Sequence, residues 1–203
     1  MKKTAILFLL IVSVIKTQPT FTATDIATSA NGAKSVFVAD MDNDGDMDIV
    51  SASRLDDTIA WYENDGAANP SWTAADIATS ADAAQSVFVT DMDNDGDMDI
   101  ISASENDDAI AWYENNGAAN PSWTAADIAT SADGAQWVFA ADMDNDGDMD
   151  IVSASYSDDA IAWYENTMVK GKIGGWAAAD IATSADEARG LFVADMDNDG
   201  DLD

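Results

Sequence analysis

The chain has no cysteine and no histidine among its 203 residues, and only eight lysines and arginines stand against 39 aspartates and glutamates. Without cysteine and histidine it lacks disulfides and the usual ligands of zinc and copper. The formal net charge of −31 argues against a nucleic-acid partner and leaves no polybasic patch for an anionic membrane. The sequence contains no cysteine nucleophile, no histidine base and no glycine-rich phosphate loop, so it predicts that the protein is not an enzyme.

Long apolar segments are also absent, apart from one near the N-terminus. Two lysines precede an apolar run at residues 5–15, which is too short to span a bilayer, where about 20 residues are needed. This pattern predicts a signal peptide over residues 1–18, cleaved close to Thr17 or Gln18; an uncleaved anchor or a buried strand is the alternative. We therefore expect a secreted, extracellular protein with no membrane insertion after cleavage.

An acidic nonapeptide, Asp-Met-Asp-Asn-Asp-Gly-Asp-Met-Asp, begins at Asp40, Asp91 and Asp142, and a copy with leucine at its eighth position begins at Asp195. The glycine at position 6 lets the chain turn back, because glycine adopts positive φ without steric cost. The carboxylates at positions 1, 3, 5 and 9 then converge, and the carbonyl oxygen of position 7 adds another ligand. The residues predicted to surround the metal are Asp40, Asp42, Asp44, Asp46, Asp48, Asp91, Asp93, Asp95, Asp97, Asp99, Asp142, Asp144, Asp146, Asp148, Asp150, Asp195, Asp197, Asp199, Asp201 and Asp203.

This set of ligands predicts calcium, because oxygen donors without nitrogen or sulfur favour Ca²⁺ over transition metals. Two carboxylates about 5 Å apart repel each other by roughly 3 kcal/mol at an effective dielectric constant near 20. Five aspartates in one loop therefore oppose a compact turn unless a cation neutralises them. A solvated acidic turn without an ion is the alternative interpretation.

An EF-hand loop also begins Asp-x-Asp-x-Asp-Gly, but it needs a glutamate at position 12 and a helix on each side. Position 12 is Ser51, Ser102 or Ser153 here, and the flanking residues 35–39 and 49–53 are short and rich in β-formers. A metal-binding β-hairpin therefore fits the sequence better than an EF-hand.

The nonapeptides are spaced regularly, at 51, 51 and 53 residues from one first aspartate to the next. Strands are predicted at residues 21–28, 35–39, 49–53 and 59–63, with residues 72–79 equivalent to 21–28, and a single further strand at 190–194. Short strands, no helical period and a unit of about 50 residues predict an all-β fold, a β-propeller of four-stranded blades.

Residues 36–53 followed by 59–64 resemble the FG-GAP/VCBS-type repeat, and the resemblance extends from about residue 19 to the end of the chain. It implies a calcium-binding propeller, normally of seven blades, as in the head of integrin α subunits, with one Ca²⁺ in the hairpin between the first two strands of a blade. The literal Phe-Gly and Gly-Ala-Pro signatures are absent, which favours the broader VCBS-like branch.

The repeat predicts a division of residues 19–203 into units near 19–69, 70–120, 121–173 and 174–203. We expect about three complete blades plus partial ones, as in a fragment of a longer propeller.

The motif Trp-Tyr-Glu-Asn recurs at residues 61–64, 112–115 and 163–166. Its aromatic rings either stack on sugar rings or fill the space between blades, and their identity in every unit favours packing. The turns that vary between units begin at Arg54, Glu105 and Tyr156, at the end of the blade away from the metal loops. Loop tips on a rigid scaffold often bind ligands, so this face is a hypothesis for partner contact; neutral drift is the alternative.

The sequence thus favours a calcium-binding module for adhesion, with an extracellular protein or glycan as its ligand. The alternative is part of a secreted polysaccharide-degrading enzyme. A surface repeat with a purely structural role is a third interpretation.

Overall fold

A computed structural model of the chain describes residues 19–167, 176–197 and 199–202. The predicted signal peptide and the predicted ligand Asp203 lie outside the described residues. Within the described part, the regular secondary structure is all β-strand with no helix. Accordingly, this part holds no helix of the length and apolar character that crossing a membrane requires.

The structure describes twelve strands. In chain order these are β1 (Ala33–Ala39), β2 (Asp48–Ser53), β3 (Thr58–Asn64), β4 (Trp72–Ala78), β5 (Ala84–Thr90), β6 (Asp99–Ser104), β7 (Ala109–Asn115), β8 (Trp123–Ala129), β9 (Ala135–Ala141), β10 (Asp150–Ser155), β11 (Ala160–Asn166) and β12 (Trp176–Ala182).

The strands form three four-stranded antiparallel sheets, each built from four consecutive strands in the order of the chain. The first hairpin of each sheet has the same register, with Phe37 opposite Val50 in the first sheet and Phe88 opposite Ile101 in the second. The turn residues and the strand sequences recur in the three repeats that form sheets, so each of these repeats forms the same sheet. The predicted all-β, four-stranded repeat is confirmed, and the three sheets are consistent with propeller-like blades.

The core lies between successive sheets, which pack face to face. Val50, Ile59 and Trp61 of the first sheet pack against Val87 and Ile100 of the second. The same arrangement recurs between the second and third sheets. Because each sheet buries an apolar face against its neighbour, the hydrophobic effect stabilises the packing of successive repeats.

A row of phenylalanines runs along the first strands of the sheets. Phe37 and Phe88 have ring centroids 4.9 Å apart, and Phe88 and Phe139 are 4.7 Å apart. Phe192 continues the row at 6.3 Å from Phe139. The rings are tilted or edge-on, the arrangement that aromatic quadrupoles prefer.

Two of the motif tryptophans, Trp61 and Trp112, pack between sheets, as the sequence favoured, whereas Trp163 is only half-buried. Trp61 is 4 % exposed and Trp112 is 1 % exposed, so their rings are not available for a sugar to stack on.

Two predicted strands are wrong. Residues 21–28 and 190–194 belong to no sheet, and Phe21 and Phe192 are 93 % and 79 % exposed. In each complete sheet the fourth strand pairs with the third strand that precedes it, as Asp76 pairs with Ala60. No described third strand precedes residues 21–28, and no described second strand follows residues 190–194. Strand propensity without a pairing partner does not make a strand.

Candidate metal centre

The acidic loops join the first and second strands of each sheet, at the end where Ala39 faces Asp48. Gly45 has a φ of 96°, and Asn43, two residues earlier, has a φ of 60°. The loop therefore turns through two left-handed residues. The same pair of positive φ angles occurs in the second and third loops. A side chain with a branched Cβ would be strained at either position, whereas glycine and asparagine tolerate it. The predicted glycine turn is confirmed.

Three carboxylates in each loop converge, with oxygen atoms that lie within 4.8 Å of one another. In the first two loops these carboxylates belong to positions 1, 3 and 9 of the nonapeptide, and in the last two to positions 1, 3 and 5. The four groups are Asp40, Asp42 and Asp48; Asp91, Asp93 and Asp99; Asp142, Asp144 and Asp146; and Asp195, Asp197 and Asp199.

Backbone N–H groups fix the carboxylates in place. The N–H groups of Asp44 and Gly45 donate to the two oxygens of Asp40, at 3.1 and 2.9 Å. Asp48 is buried and accepts from Met41 N at 3.1 Å and from Asn64 N at 2.8 Å. The second and third loops repeat both sets of bonds. The position-9 carboxylate thus joins the start of its loop to the end of the third strand.

Burial makes some of these negative charges unfavourable. Removal from water raises the pKa of Asp99 to about 7, although N–H groups of Asn115 and Met92 bonded to its carboxylate act in the opposite direction. The indole N–H of Trp112 also lowers this pKa, but it makes no hydrogen bond of normal geometry. Burial raises the pKa of Asp93, and the negative charge of Asp95 raises it further. A bound cation would stabilise both carboxylates in their charged forms.

In the second, third and fourth loops the position-7 carboxylate accepts a hydrogen bond from the preceding loop. Asn43 of the first loop donates from its amide nitrogen to Asp97 of the second loop, at 2.8 Å. Asn94 donates in the same way to Asp148 at 3.0 Å, and the bond recurs between the third and fourth loops. Among the predicted ligands, position 7 was assigned only a backbone carbonyl, and its carboxylate bridges neighbouring loops instead.

A second bridge comes from the last residue of the Trp-Tyr-Glu-Asn motif. The amide nitrogen of Asn115 donates to Met98 O of its own loop at 3.0 Å and to Met41 O of the preceding loop at 2.9 Å. Asn166 bonds Met149 O and Met92 O in the same manner. Sequence reasoning missed both bridges, and the only signal for them is that asparagine recurs at these two positions in each of the first three units.

These residues fit a calcium ion, because the converging donors are oxygen atoms alone and no basic side chain forms an ion pair with them among the described residues. Asp40, Asp42 and Asp48 would hold the ion in the first loop, with the equivalent residues in the others. The chemistry that such an ion supplies is charge neutralisation and cross-linking of the hairpin to the third strand.

Fold and loops together define a class: a β-repeat protein in which each four-stranded sheet carries one acidic loop. A family model for the FG-GAP-like repeat matches three overlapping stretches, residues 40–102, 91–153 and 142–203. The chain belongs to this family of FG-GAP-like repeat proteins, which confirms the resemblance predicted from the sequence. No curated protein matches the chain.

The apo protein is expected to lose stability between about pH 4 and pH 7. The folded-state pKa of Asp99 is raised, so the protonated carboxyl stabilises the fold below the unfolded-state pKa, and that contribution disappears as the pH rises through about 7. The loss is on the order of 4 kcal/mol at most. Urea unfolding in excess chelator should give a higher free energy of unfolding at pH 5 than at pH 8.

Asp99→Asn removes the titrating group and should reduce this pH dependence. Asp133→Asn removes one exposed negative charge and serves as the control for the change in overall repulsion. Equal pH dependence in the two variants would show that Asp99 is not the source.

Proposed function

We propose that the chain is a secreted calcium-binding repeat module that binds an extracellular protein or glycan and acts in adhesion rather than catalysis. Its sheets are blades of a β-propeller, and one calcium ion per acidic loop holds each blade to its neighbour. The observation that carries this proposal is the convergence of three carboxylates in each of four equivalent loops, at positions fixed by backbone N–H groups.

The contacts around the loops support a structural role for the ion. Asp99 connects its loop to the third strand through Asn115 N at 2.7 Å, and Asn115 in turn reaches the preceding loop. An ion bound by Asp91, Asp93 and Asp99 would therefore fix two strands and, through Asn115, the neighbouring repeat. Binding to the folded state alone stabilises it by mass action, a substitute for the disulfides that the chain lacks.

Export and the absence of catalysis rest on the sequence. Residues 1–18 have the pattern of a signal peptide, and extracellular calcium is millimolar, sufficient for sites of modest affinity. The chain contains no histidine or cysteine to act as base or nucleophile. A ligand would contact the ends of the sheets opposite to the acidic loops, where the turns differ between repeats.

The test uses the full chain expressed with its N-terminal segment in a secreting host. We expect the protein in the medium to begin near Thr17 or Gln18 and to bind about four calcium ions by titration calorimetry, one for each loop. Asp91→Asn combined with Asp93→Asn should remove one ion. Asp127→Asn on an exposed position of β8 should remove none.

An absence of heat from added calcium, or retention of the ion in the double variant, would contradict the calcium sites. A mature protein that still begins at Met1 would contradict the signal peptide. Release of sugar fragments when the same sample is incubated with acidic polysaccharides would favour the enzymatic alternative.

A further inference from the structure

All basic residues of the described chain line one cavity at the ends of the sheets away from the acidic loops. These residues are Lys34, Arg54 and Arg189, and the cavity has a volume of about 210 Å³. Its position follows from the register of the first hairpin, in which Ala33 faces Ser53 at the end opposite to the loop. In a chain of net charge −31, this concentration of positive charge marks a distinct surface.

The cavity is built by equivalent positions of successive repeats. One position of the repeat supplies four lining residues. It is the second residue of β1, β5 and β9 and the equivalent position of the fourth repeat, and its residues are Lys34, Gln85, Gln136 and Arg189. These positions are 51, 51 and 53 residues apart, the same spacing as the acidic loops. This position therefore carries a long polar side chain in all four repeats. It is glutamine in the second and third repeats and a cation in the first and fourth.

The turns between second and third strands contribute the rest of the lining. Arg54 donates to Glu105 at 3.1 Å, an ion pair between the first two turns. The guanidinium of Arg189 lies over the ring of Tyr156, 4.7 Å from its centroid, which fixes one cation against the third turn. These are the turns whose sequences vary between the repeats.

Two of the cations remain available to a ligand. Lys34 makes no ion pair among the described residues, and the pair of Arg189 with Glu187 at 3.3 Å is exposed, where such pairs contribute little. Two carboxylates of the nearby turns accept hydrogen bonds from backbone N–H groups. Ala83 N donates to Asp57 and Gly134 N donates to Asp108, both at 2.9 Å. Among the residues that the structure describes, Glu105 is the one carboxylate that lines the cavity.

We propose that this cavity binds a sugar acid, with the carboxylate held between Lys34 and Arg189 and the hydroxyl groups bonded by the amide of Gln136. The inference deepens the proposed glycan-binding role and rests on it. The cavity, at about 210 Å³, is smaller than the roughly 300–1,000 Å³ of pockets for drug-sized ligands, and this volume suits a single sugar ring. Guanidinium and ammonium groups recognise carboxylates, and neutral amides serve hydroxyl groups.

The test measures binding of glucuronate to the calcium-saturated full chain by ligand-observed NMR, with glucose and a short oligoglutamate peptide as comparisons. Lys34→Gln and Arg189→Gln each introduce the residue that the middle repeats carry at this position, so both substitutions are compatible with the strand position. We expect glucuronate to bind about tenfold or more tightly than glucose, and the double variant to lose this preference. Gln136→Lys adds a cation at the equivalent position and should tighten glucuronate binding.

Each other outcome overturns the inference. Equal binding of glucose and glucuronate would remove the role of the cations, and tighter binding of oligoglutamate would identify an acidic peptide as the ligand. Unchanged glucuronate binding in the double variant would place the sugar acid elsewhere, for example on calcium at the acidic loops. Calcium titration of the same sample separates the two proposals, because the cavity can fail while the loops still bind calcium.

Discussion

Removal of calcium is expected to lower the midpoint of thermal unfolding by about 15–30 °C. A ligand present at 100 times its dissociation constant stabilises the folded state by about 2.7 kcal/mol per site, or about 8 kcal/mol for the loops of the three complete sheets. In a protein of this size, 1 kcal/mol corresponds to about 2–4 °C. Melts followed by circular dichroism, in excess calcium and in excess chelator, measure the difference.

The size of this effect follows from what each loop holds together. Without the ion, the converging carboxylates of Asp91, Asp93 and Asp99 repel one another beside a hydrophobic core. With a bound ion, the same carboxylates would fix a hairpin and the end of the third strand. Adding magnesium to the chelated protein is the matched control, because Mg²⁺ prefers an octahedral shell with retained water and fits such a loop poorly. Identical midpoints with calcium and with chelator would contradict a structural role for the ion.

The fold and the loops were predictable because their signals are local. The turn needs only the φ angles of Asn43 and Gly45, and the strands on each side are rich in β-branched and apolar residues. The repeat strengthens this prediction, because the same sequence pattern occurs in several units and each supports the interpretation of the others. The packing of Trp61 and Trp112 was predictable for the same reason.

What the sequence did not predict depends on partners distant along the chain. Residues 21–28 have the composition of the fourth strands, yet they form no sheet, because pairing is decided by a neighbouring strand. The bond from Asn43 to Asp97 joins residues 54 positions apart, and periodicity gives no distance between neighbouring loops. The cavity was likewise hidden, since Lys34 and Arg189 are ordinary surface cations until the sheets place them together.

The loops of successive repeats are also expected to depend on one buried amide, and Asn115→Ala should destabilise the protein by about 3 kcal/mol. Asn115 is 1 % exposed, and its amide nitrogen bonds Met98 O and Met41 O. Truncation leaves two carbonyl oxygens without this donor, and each unsatisfied buried group costs about 1–3 kcal/mol. Urea unfolding in saturating calcium measures the loss.

The chain supplies its own control in Asn64, the equivalent residue of the first repeat. Asn64 also donates to its own loop, at Met47 O, and accepts from Gly66 N, but it is only half-buried and no bond from it to another repeat is present. Asn64→Ala should therefore cost about 1 kcal/mol or less, because water replaces the lost bond. The difference between the two variants isolates the bond from Asn115 to the preceding loop. If both substitutions cost the same, the bond from Asn115 to Met41 O adds nothing to the stability of the protein.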